Sequence, residues 1–143
     1  MKYKAAYSVN LQIPPEEAWD KLRDLSLAPS YVPGVKSMQF LTRKKEGIGA
    51  ARIVYPQHLK EEVISWKPGE EVLLGLYKKG RENFFPFKKS QFRYTISQTG
   101  STFMNLALEY EPVMGRLGHF LFGGVIQKKI NRTGENLKHF YEN

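Results

Sequence analysis

The strongest constraint on the fold is a series of short, strand-like segments that leads into one long, helix-like tail. From about residue 35 the chain is broken at short intervals by turn-forming residues, as at 46–49, at Pro56 and at 99–100. The segments between these breaks predict six strands, at residues 35–44, 50–57, 59–66, 71–79, 88–98 and 101–111. Short successive strands with tight breaks are typical of an antiparallel meander, which can leave one of its faces in water.

The segments on either side of this series complete the pattern. Residues 3–13 alternate apolar and polar side chains, and this period of two predicts another strand with one buried face. Apolar residues at helical spacing then predict an amphipathic helix at 15–25, followed by a short helical piece at 26–31. Apolar residues at 113–141 recur every three or four positions and predict one long helix. Gly123-Gly124 in its middle disfavours a helix, so we expect a bend or a close contact there.

This order of elements predicts an α+β fold in one domain that covers residues 1–143. A curved, seven-stranded antiparallel sheet wraps around the long C-terminal helix, and two short helices follow the first strand. The final helix is the segment with enough length, at about 1.5 Å per residue, to run across such a sheet. The gap between sheet and helix is the expected site, because binding sites are usually concave and mostly apolar.

Composition limits the classes of protein and site to consider. The chain has no cysteine, which excludes disulfides, thiolate metal sites and a cysteine nucleophile. It has no apolar run of about 18 residues, and its N-terminal residues lack the apolar core of a signal peptide, so we expect a cytoplasmic protein. The formal net charge of +8 attracts anionic partners, although a basic surface also simply keeps a protein in solution.

The ionisable residues form no recognisable catalytic or metal-binding motif. His58, His119 and His139 lack a metal-ligand spacing, and no carboxylate joins them in a motif. Glu61 and Glu62 are neighbours on one predicted strand, so their side chains point to opposite faces. One of the two could face the cavity as an acid or base, or it could pair with a surface lysine. We therefore predict no metal and no cofactor, and we assign no catalytic residue.

Large apolar and aromatic side chains are the candidates for the cavity wall. On the strands at 88–98 and 101–111 they alternate with polar residues, so one face of each strand should turn towards the long helix. Tyrosine and tryptophan combine apolar area with one polar tip, which suits an amphipathic ligand, although plain core packing would use the same residues. The candidate ligand-binding residues are Trp66, Tyr77, Phe92, Tyr94, Met104, Leu108, Tyr110, Phe120, Leu121 and Val125.

The segment 78–93 is basic and carries a cluster of phenylalanines. It holds six lysines and arginines against one acid, Glu82, around the sequence Phe84-Phe85-Pro86-Phe87. Such a segment could contact an anionic membrane, cover the mouth of the cavity, or stack on single-stranded nucleic acid. The phenylalanines could also fold back over the core.

Seven short motifs follow one another along essentially the whole chain. They are Ile13-Pro14-Pro15-Glu16-Glu17-Ala18-Trp19, Leu22-Arg23-Asp24, Val32-Pro33-Gly34-Val35, Gly47-Ile48-Gly49-Ala50-Ala51-Arg52, Glu61-Glu62-Val63-Ile64-Ser65-Trp66, Thr102 with Glu109-Tyr110-Glu111-Pro112, and Gly115-Arg116-Leu117-Gly118. Together they resemble the START-like superfamily, also called SRPBCC, and within it the polyketide cyclase/dehydrase-type proteins. The resemblance implies the helix-grip fold. Members of this superfamily bind lipids, hormones, quinones and polyketides, and only some are enzymes.

Three functions are compatible with these observations. The leading hypothesis is a protein that binds a hydrophobic or amphipathic small molecule, such as a lipid, a quinone or a polyketide-like compound, between the sheet and the C-terminal helix. The second is an enzyme that resembles polyketide cyclases or aromatases, with Tyr94, Glu62 or His119 moving a proton. The third is a START-like protein that associates with the ribosome or with a membrane through the basic segment 78–93.

Overall fold

The computed structural model describes residues 2–143 and contains the predicted order of elements. The elements are β1 (Tyr3–Leu11), α1 (Pro15–Leu22), a 3₁₀ helix (Leu25–Ser30), β2 (Ser37–Phe40), β3 (Ala51–Tyr55), β4 (Leu59–Lys67), β5 (Glu71–Lys78), β6 (Phe87–Thr99), β7 (Ser101–Pro112) and α2 (Gly115–Glu142). Within the described residues no helix is long and apolar enough to cross a membrane.

The seven strands form one antiparallel sheet in the order β1-β7-β6-β5-β4-β3-β2. The first strand pairs with the last, from Tyr3 opposite Tyr110 to Leu11 opposite Thr102, and all other neighbours are consecutive in the chain. Irregularities at 63–65 in β4 and at 87–89 in β6 shift the strand register, and such bulges bend and twist a strand. The helix-grip fold with α2 against the sheet is therefore confirmed.

The short helices end where side chains or prolines stop them. α1 begins at Pro15, where a missing N–H costs no helical hydrogen bond, and it buries Ala18 and Leu22. The helix was predicted to continue to residue 25, but the Asp24 carboxylate accepts a hydrogen bond from the Ser26 N–H at 3.0 Å. This contact caps the following 3₁₀ helix, which contains Pro29.

The strand predicted at 35–44 is much shorter in the structure, where β2 covers only Ser37–Phe40. The hydroxyl of Thr42 accepts a hydrogen bond from the Ala51 N–H and donates one to the Lys44 carbonyl. These two side-chain bonds replace strand pairing beyond β2 and turn the chain towards β3.

α2 packs on the sheet mainly through the part from Ile126 to its C-terminus, which we call its second half. Ile126, Ile130, Leu137 and Tyr141 are buried there against the core. A close approach of α2 to β1 is at Gly134, where a Cβ atom would lie 2.4 Å from the Tyr7 ring. At Gly123 a close contact exists within the helix itself, since a Cβ there would lie 3.1 Å from the His119 ring, whereas a Cβ at Gly124 would meet nothing within 4 Å.

Candidate functional site

A cavity of about 270 Å³ lies between the sheet and α2. It is lined mostly by apolar side chains from β3 to β7, from α2, and from the loops before β2 and β6. The lining residues are Val32, Val35, Val54, Gln57, Leu59, Glu61, Leu74, Leu76, Lys78, Phe84, Phe85, Phe87, Phe92, Tyr94, Leu108, Ile126, Lys129, Ile130 and Thr133. The fold thus leaves an open volume at the place where the sequence predicted one.

Strand register sets the apolar floor of the cavity. Leu74, Phe92 and Leu108 are direct partners on three neighbouring strands, so their side chains form a row across the same face of the sheet. Ile126 and Ile130 of α2 also line the cavity. A ligand in this space would exchange water for hydrocarbon on both sides, which is favourable in proportion to the apolar area covered.

One end of the cavity is polar because of Glu61 and the residues behind it. Arg52 and Glu61 face each other on β3 and β4, and Arg52 Nε donates to Glu61 Oε1 at 2.7 Å. A second guanidinium nitrogen also approaches Glu61 Oε1, and Arg52 Nη1 donates to the carbonyl of Leu25 at 2.5 Å. Arg52 is buried, whereas Glu61 lines the cavity. Both of these Arg52 contacts are to Glu61 Oε1, which leaves Oε2 of the same carboxylate as a candidate acceptor for a ligand.

Tyr94 lies at the same end, where its hydroxyl approaches Tyr31 and the Arg52–Glu61 pair. Burial raises the pKa of its hydroxyl well above the ordinary value, and neighbouring Tyr31 raises it further, against a smaller opposing effect of Arg52. Burial also raises the pKa of Tyr31, whose ring packs edge-on against Tyr94 with centroids 6.5 Å apart. Burial lowers the pKa of Arg52, but Glu61, Tyr31 and Tyr94 together outweigh this effect and the pKa is raised. The tyrosine hydroxyls therefore stay protonated beside the Arg52–Glu61 ion pair.

The phenylalanine cluster of the basic segment lies at the mouth of the cavity. Phe84 and Phe87 pack edge-on with centroids 5.7 Å apart, and both lean on the core. Phe85 is 71% exposed and meets the ring of Phe122 on α2 at 5.2 Å. Two of the three phenylalanines thus fold back, and the third bridges to the helix across the opening.

Three of the ten predicted ligand-binding residues line this cavity: Phe92, Tyr94 and Leu108. Four others lie elsewhere on the sheet. Met104 is fully buried in the core, Trp66 packs against Trp19 at 5.2 Å, and Tyr77 lies under Lys60 at 5.6 Å. Tyr110 is buried at the far end of β7, where its hydroxyl is 2.8 Å from His119 Nδ1.

The last three predicted residues, Phe120, Leu121 and Val125, are placed on the solvent side of α2. The reason is the rotation of the helix. Ile126 and Ile130 turn towards the sheet, and at 100° per residue this leaves the other three side chains on the opposite side. Apolar residues lie on several sides of the first half of α2, so the sequence pattern does not identify which side is buried.

The structure adds Glu61 as the main polar residue that the candidate ligand-binding residues did not include. A signal for it was present in the sequence, because Leu59, Glu61 and Val63 share one face of the strand by alternation. Its neighbour Glu62 is half-exposed and pairs with Lys60 at 3.3 Å.

Of the three residues considered for proton transfer, only Tyr94 lines the cavity. His119 stacks on Tyr3 at 3.9 Å, away from the lining residues, and Glu62 is on the other face of β4. Residues 2–143 contain no group of three or more histidines and carboxylates that could hold a metal ion.

Comparisons with known proteins agree with this architecture. The structure is similar to that of Ara h 8.0201, with 12% identity, a TM-score of 0.73, and coverage of 99% of this chain and 98% of the other. It is also similar to major latex-like protein 151 from Panax ginseng, with 11% identity, a TM-score of 0.71 and coverage of 99% of both chains. A third similar structure is norcoclaurine synthase from Thalictrum flavum in complex with dopamine and hydroxybenzaldehyde, with 12% identity and a TM-score of 0.74, covering 98% of this chain and 86% of the other.

At such low identities the solved structures establish the fold alone. No curated protein matches the sequence. The family model described as polyketide cyclase / dehydrase and lipid transport matches residues 2–140, which is nearly the whole chain. The chain therefore belongs to the polyketide cyclase / dehydrase and lipid transport family, within the START-like superfamily that its motifs indicated.

Proposed function

We propose that this protein binds one small amphipathic molecule in the cavity between the sheet and α2. The observation that carries the proposal is an apolar cavity of about 270 Å³ with one polar end. The row Leu74, Phe92 and Leu108 would hold the apolar body of the ligand, and Glu61 with Tyr94 would hold its polar head.

The dimensions and polar groups narrow the class of ligand. Small-molecule cavities in proteins usually measure about 300–1,000 Å³, so this one suits a compact molecule of two or three rings or a single short chain rather than a two-chain lipid. In this proposal Glu61 Oε2 would accept a hydrogen bond from the ligand, and the Tyr94 hydroxyl would turn from Tyr31 to donate one to it. A hydroxyl-bearing head, as in a phenolic polyketide or a hydroquinone, matches both groups.

The ion pair between Arg52 and Glu61 supports a binding function rather than a catalytic one. To act as a base, Glu61 would have to accept a proton and leave the Arg52 guanidinium buried without a counter-charge. Breaking a buried pair in this way is strongly unfavourable, by about 3–5 kcal/mol. Glu61 is therefore suited to hold a donor group in place, and Tyr94, with its raised pKa, is suited to remain a donor.

Fluorescence titration of the full chain with 1-aminoanthracene tests this proposal. The probe is uncharged, apolar and carries one amino group, so the net charge of the protein cannot draw it to the surface. We expect saturable binding of one probe per chain. Anthracene, which lacks the amino group, should bind roughly tenfold more weakly, because a hydrogen bond to a charged acceptor is worth about 1.5–3 kcal/mol.

Two tryptophan substitutions on β4 locate the binding site. Leu59→Trp fills the cavity and should weaken probe binding at least tenfold, whereas the control Ile64→Trp adds the same bulk on the same strand outside the cavity. Circular dichroism and thermal unfolding establish that both variants fold. If folded Leu59→Trp binds the probe as tightly as the unsubstituted chain, the cavity is not the site and the proposal fails.

A further inference from the structure

The first half of α2 exposes an unusual number of large apolar side chains. Phe120 is 82% exposed, Val125 is 70% exposed, and Leu117 and Leu121 are each more than half exposed. Met114, just before the helix, is also exposed. We call these five residues the apolar stripe. The opposite side of the helix packs on the protein, so the stripe is not buried by any element of the described chain.

Helical geometry gathers the stripe on one side of α2. Leu117, Leu121 and Val125 follow one another at intervals of four, and Phe120 lies beside them. From Met114 to Val125 the stripe spans roughly 16 Å at 1.5 Å per residue. The contact of Phe85 with Phe122 places another exposed apolar ring next to the same helix. The result is a continuous apolar surface beside the mouth of the cavity.

The surroundings of the stripe are positively charged. Residues 112–134 contain two lysines, two arginines and one histidine but no acid. Lys128 and Arg132 lie seven residues after Leu121 and Val125, so they extend the same side of the helix and are exposed. Lys78 and Lys129 lie at the mouth of the cavity, and the segment 78–93 adds further basic residues. A matching partner therefore offers an apolar region to the stripe and negative charges to the basic residues around it.

We propose that the apolar stripe, with Phe85, inserts into the headgroup region of an anionic lipid bilayer while the surrounding lysines and arginines contact the lipid headgroups. Apolar insertion and electrostatic attraction add in this kind of interfacial binding. The mouth of the cavity would then face the bilayer. The proposal does not depend on what the cavity holds.

Two other occupants fit the same surface less well. A second copy of this chain would bring two stripes together but also two bodies with a net charge of +8, which repel each other. Single-stranded nucleic acid would satisfy the positive charge, and phenylalanine rings can stack on bases, but leucine, valine and methionine offer no stacking surface. An anionic bilayer satisfies both the charge and the aliphatic side chains.

Co-sedimentation of the full chain with vesicles tests the proposal. We expect binding to vesicles of phosphatidylcholine with about one-third phosphatidylglycerol, and at least tenfold weaker binding to phosphatidylcholine alone. Raising the salt concentration should weaken binding, because screening reduces the contribution of the basic residues.

Matched double variants separate the stripe from general surface hydrophobicity. Phe120→Ser with Leu121→Ser should reduce binding to anionic vesicles at least tenfold. Leu41→Ser with Ile48→Ser is the control, since these side chains are also at least half exposed but lie in the region between β2 and β3. The control should bind vesicles like the unsubstituted chain, and all variants should keep their binding of 1-aminoanthracene.

Three results would overturn the proposal. The first is no binding to anionic vesicles, and the second is equal loss in both double variants. The third is that the substitutions at Phe120 and Leu121 leave vesicle binding unchanged but abolish another interaction. That interaction would be either binding of single-stranded RNA or self-association of the chain, and sedimentation velocity measures both. Each of these outcomes leaves the cavity proposal unaffected, because that proposal is tested separately by titration with 1-aminoanthracene.

Discussion

The two halves of α2 are one continuous helix, but they relate to the protein in opposite ways. In the second half the large apolar residues, such as Ile130 and Leu137, face the sheet and are buried. In the first half residues of the same types, such as Leu121 and Val125, face solvent. Apolar composition alone therefore does not say which parts of this helix stabilise the fold. The second half has the arrangement of a core helix, and the first half has that of a surface open to a partner.

Truncation of one leucine in each half should give the largest contrast. Leu137→Ala removes a fully buried side chain and should lower the free energy of unfolding by about 2–5 kcal/mol, from lost burial and the cavity left behind. Leu121→Ala removes a side chain that is half exposed and should change it by about 0.5 kcal/mol or less. Urea unfolding followed by circular dichroism measures both values. Similar losses in the two variants would mean that the first half also contributes to the core.

Glycine-to-alanine substitutions should show how closely the backbone of each half of α2 is packed. Gly134→Ala places a Cβ 2.4 Å from the Tyr7 ring, so either that ring or the spacing between β1 and α2 must shift, at a cost of about 1–3 kcal/mol. Gly124→Ala meets nothing within 4 Å and should stabilise the protein by up to about 1 kcal/mol, because alanine favours a helix. Thermal unfolding should therefore shift to lower temperature in the first variant and to higher temperature in the second. A stabilising Gly134→Ala would contradict the close packing of β1 on α2.

The fold could be predicted because its signals are local and repeated. The alternation at residues 3–13 identified β1, and the breaks between strands identified the meander whose hydrogen bonds the structure shows. The end of β2 was not predictable in the same way, since it depends on the Thr42 hydroxyl reaching the Ala51 backbone. That bond joins residues that become neighbours only after the sheet has formed.

The cavity was harder to predict than the fold because it depends on the rotation and position of one helix. Alternation correctly assigned Phe92 and Leu108 to the face that lines the cavity. The first half of α2 carries apolar residues on several sides, so its sequence does not reveal that Phe120 faces solvent. Nor does the sequence reveal that α2 approaches β1 closely at Gly134, because that contact requires Tyr7 from the far end of the chain.

The stability of the protein at alkaline pH should show that Tyr141, in the second half of α2, is buried. Burial raises the pKa of its hydroxyl well above the ordinary value, and nearby Tyr31 raises it further. As pH rises, the unfolded chain, with a tyrosine pKa of about 10, releases this proton before the folded protein does. The contribution of Tyr141 to stability is therefore complete below about pH 10 and is lost above it. Each such tyrosine lowers the free energy of unfolding by about 1.4 kcal/mol per pH unit in that range.

Tyr141→Phe isolates this contribution, since Tyr31 and Tyr94 also have raised pKa values and remain in place. Urea unfolding at pH 7 and at pH 11 supplies the measurement, and the pH 7 difference between the two proteins corrects for the altered packing. The loss of stability between the two pH values should be about 1 kcal/mol smaller in the variant. An unchanged loss would mean that Tyr141 is as accessible to hydroxide in the folded protein as in the unfolded chain. The second half of α2 would then be packed more loosely than its buried side chains indicate.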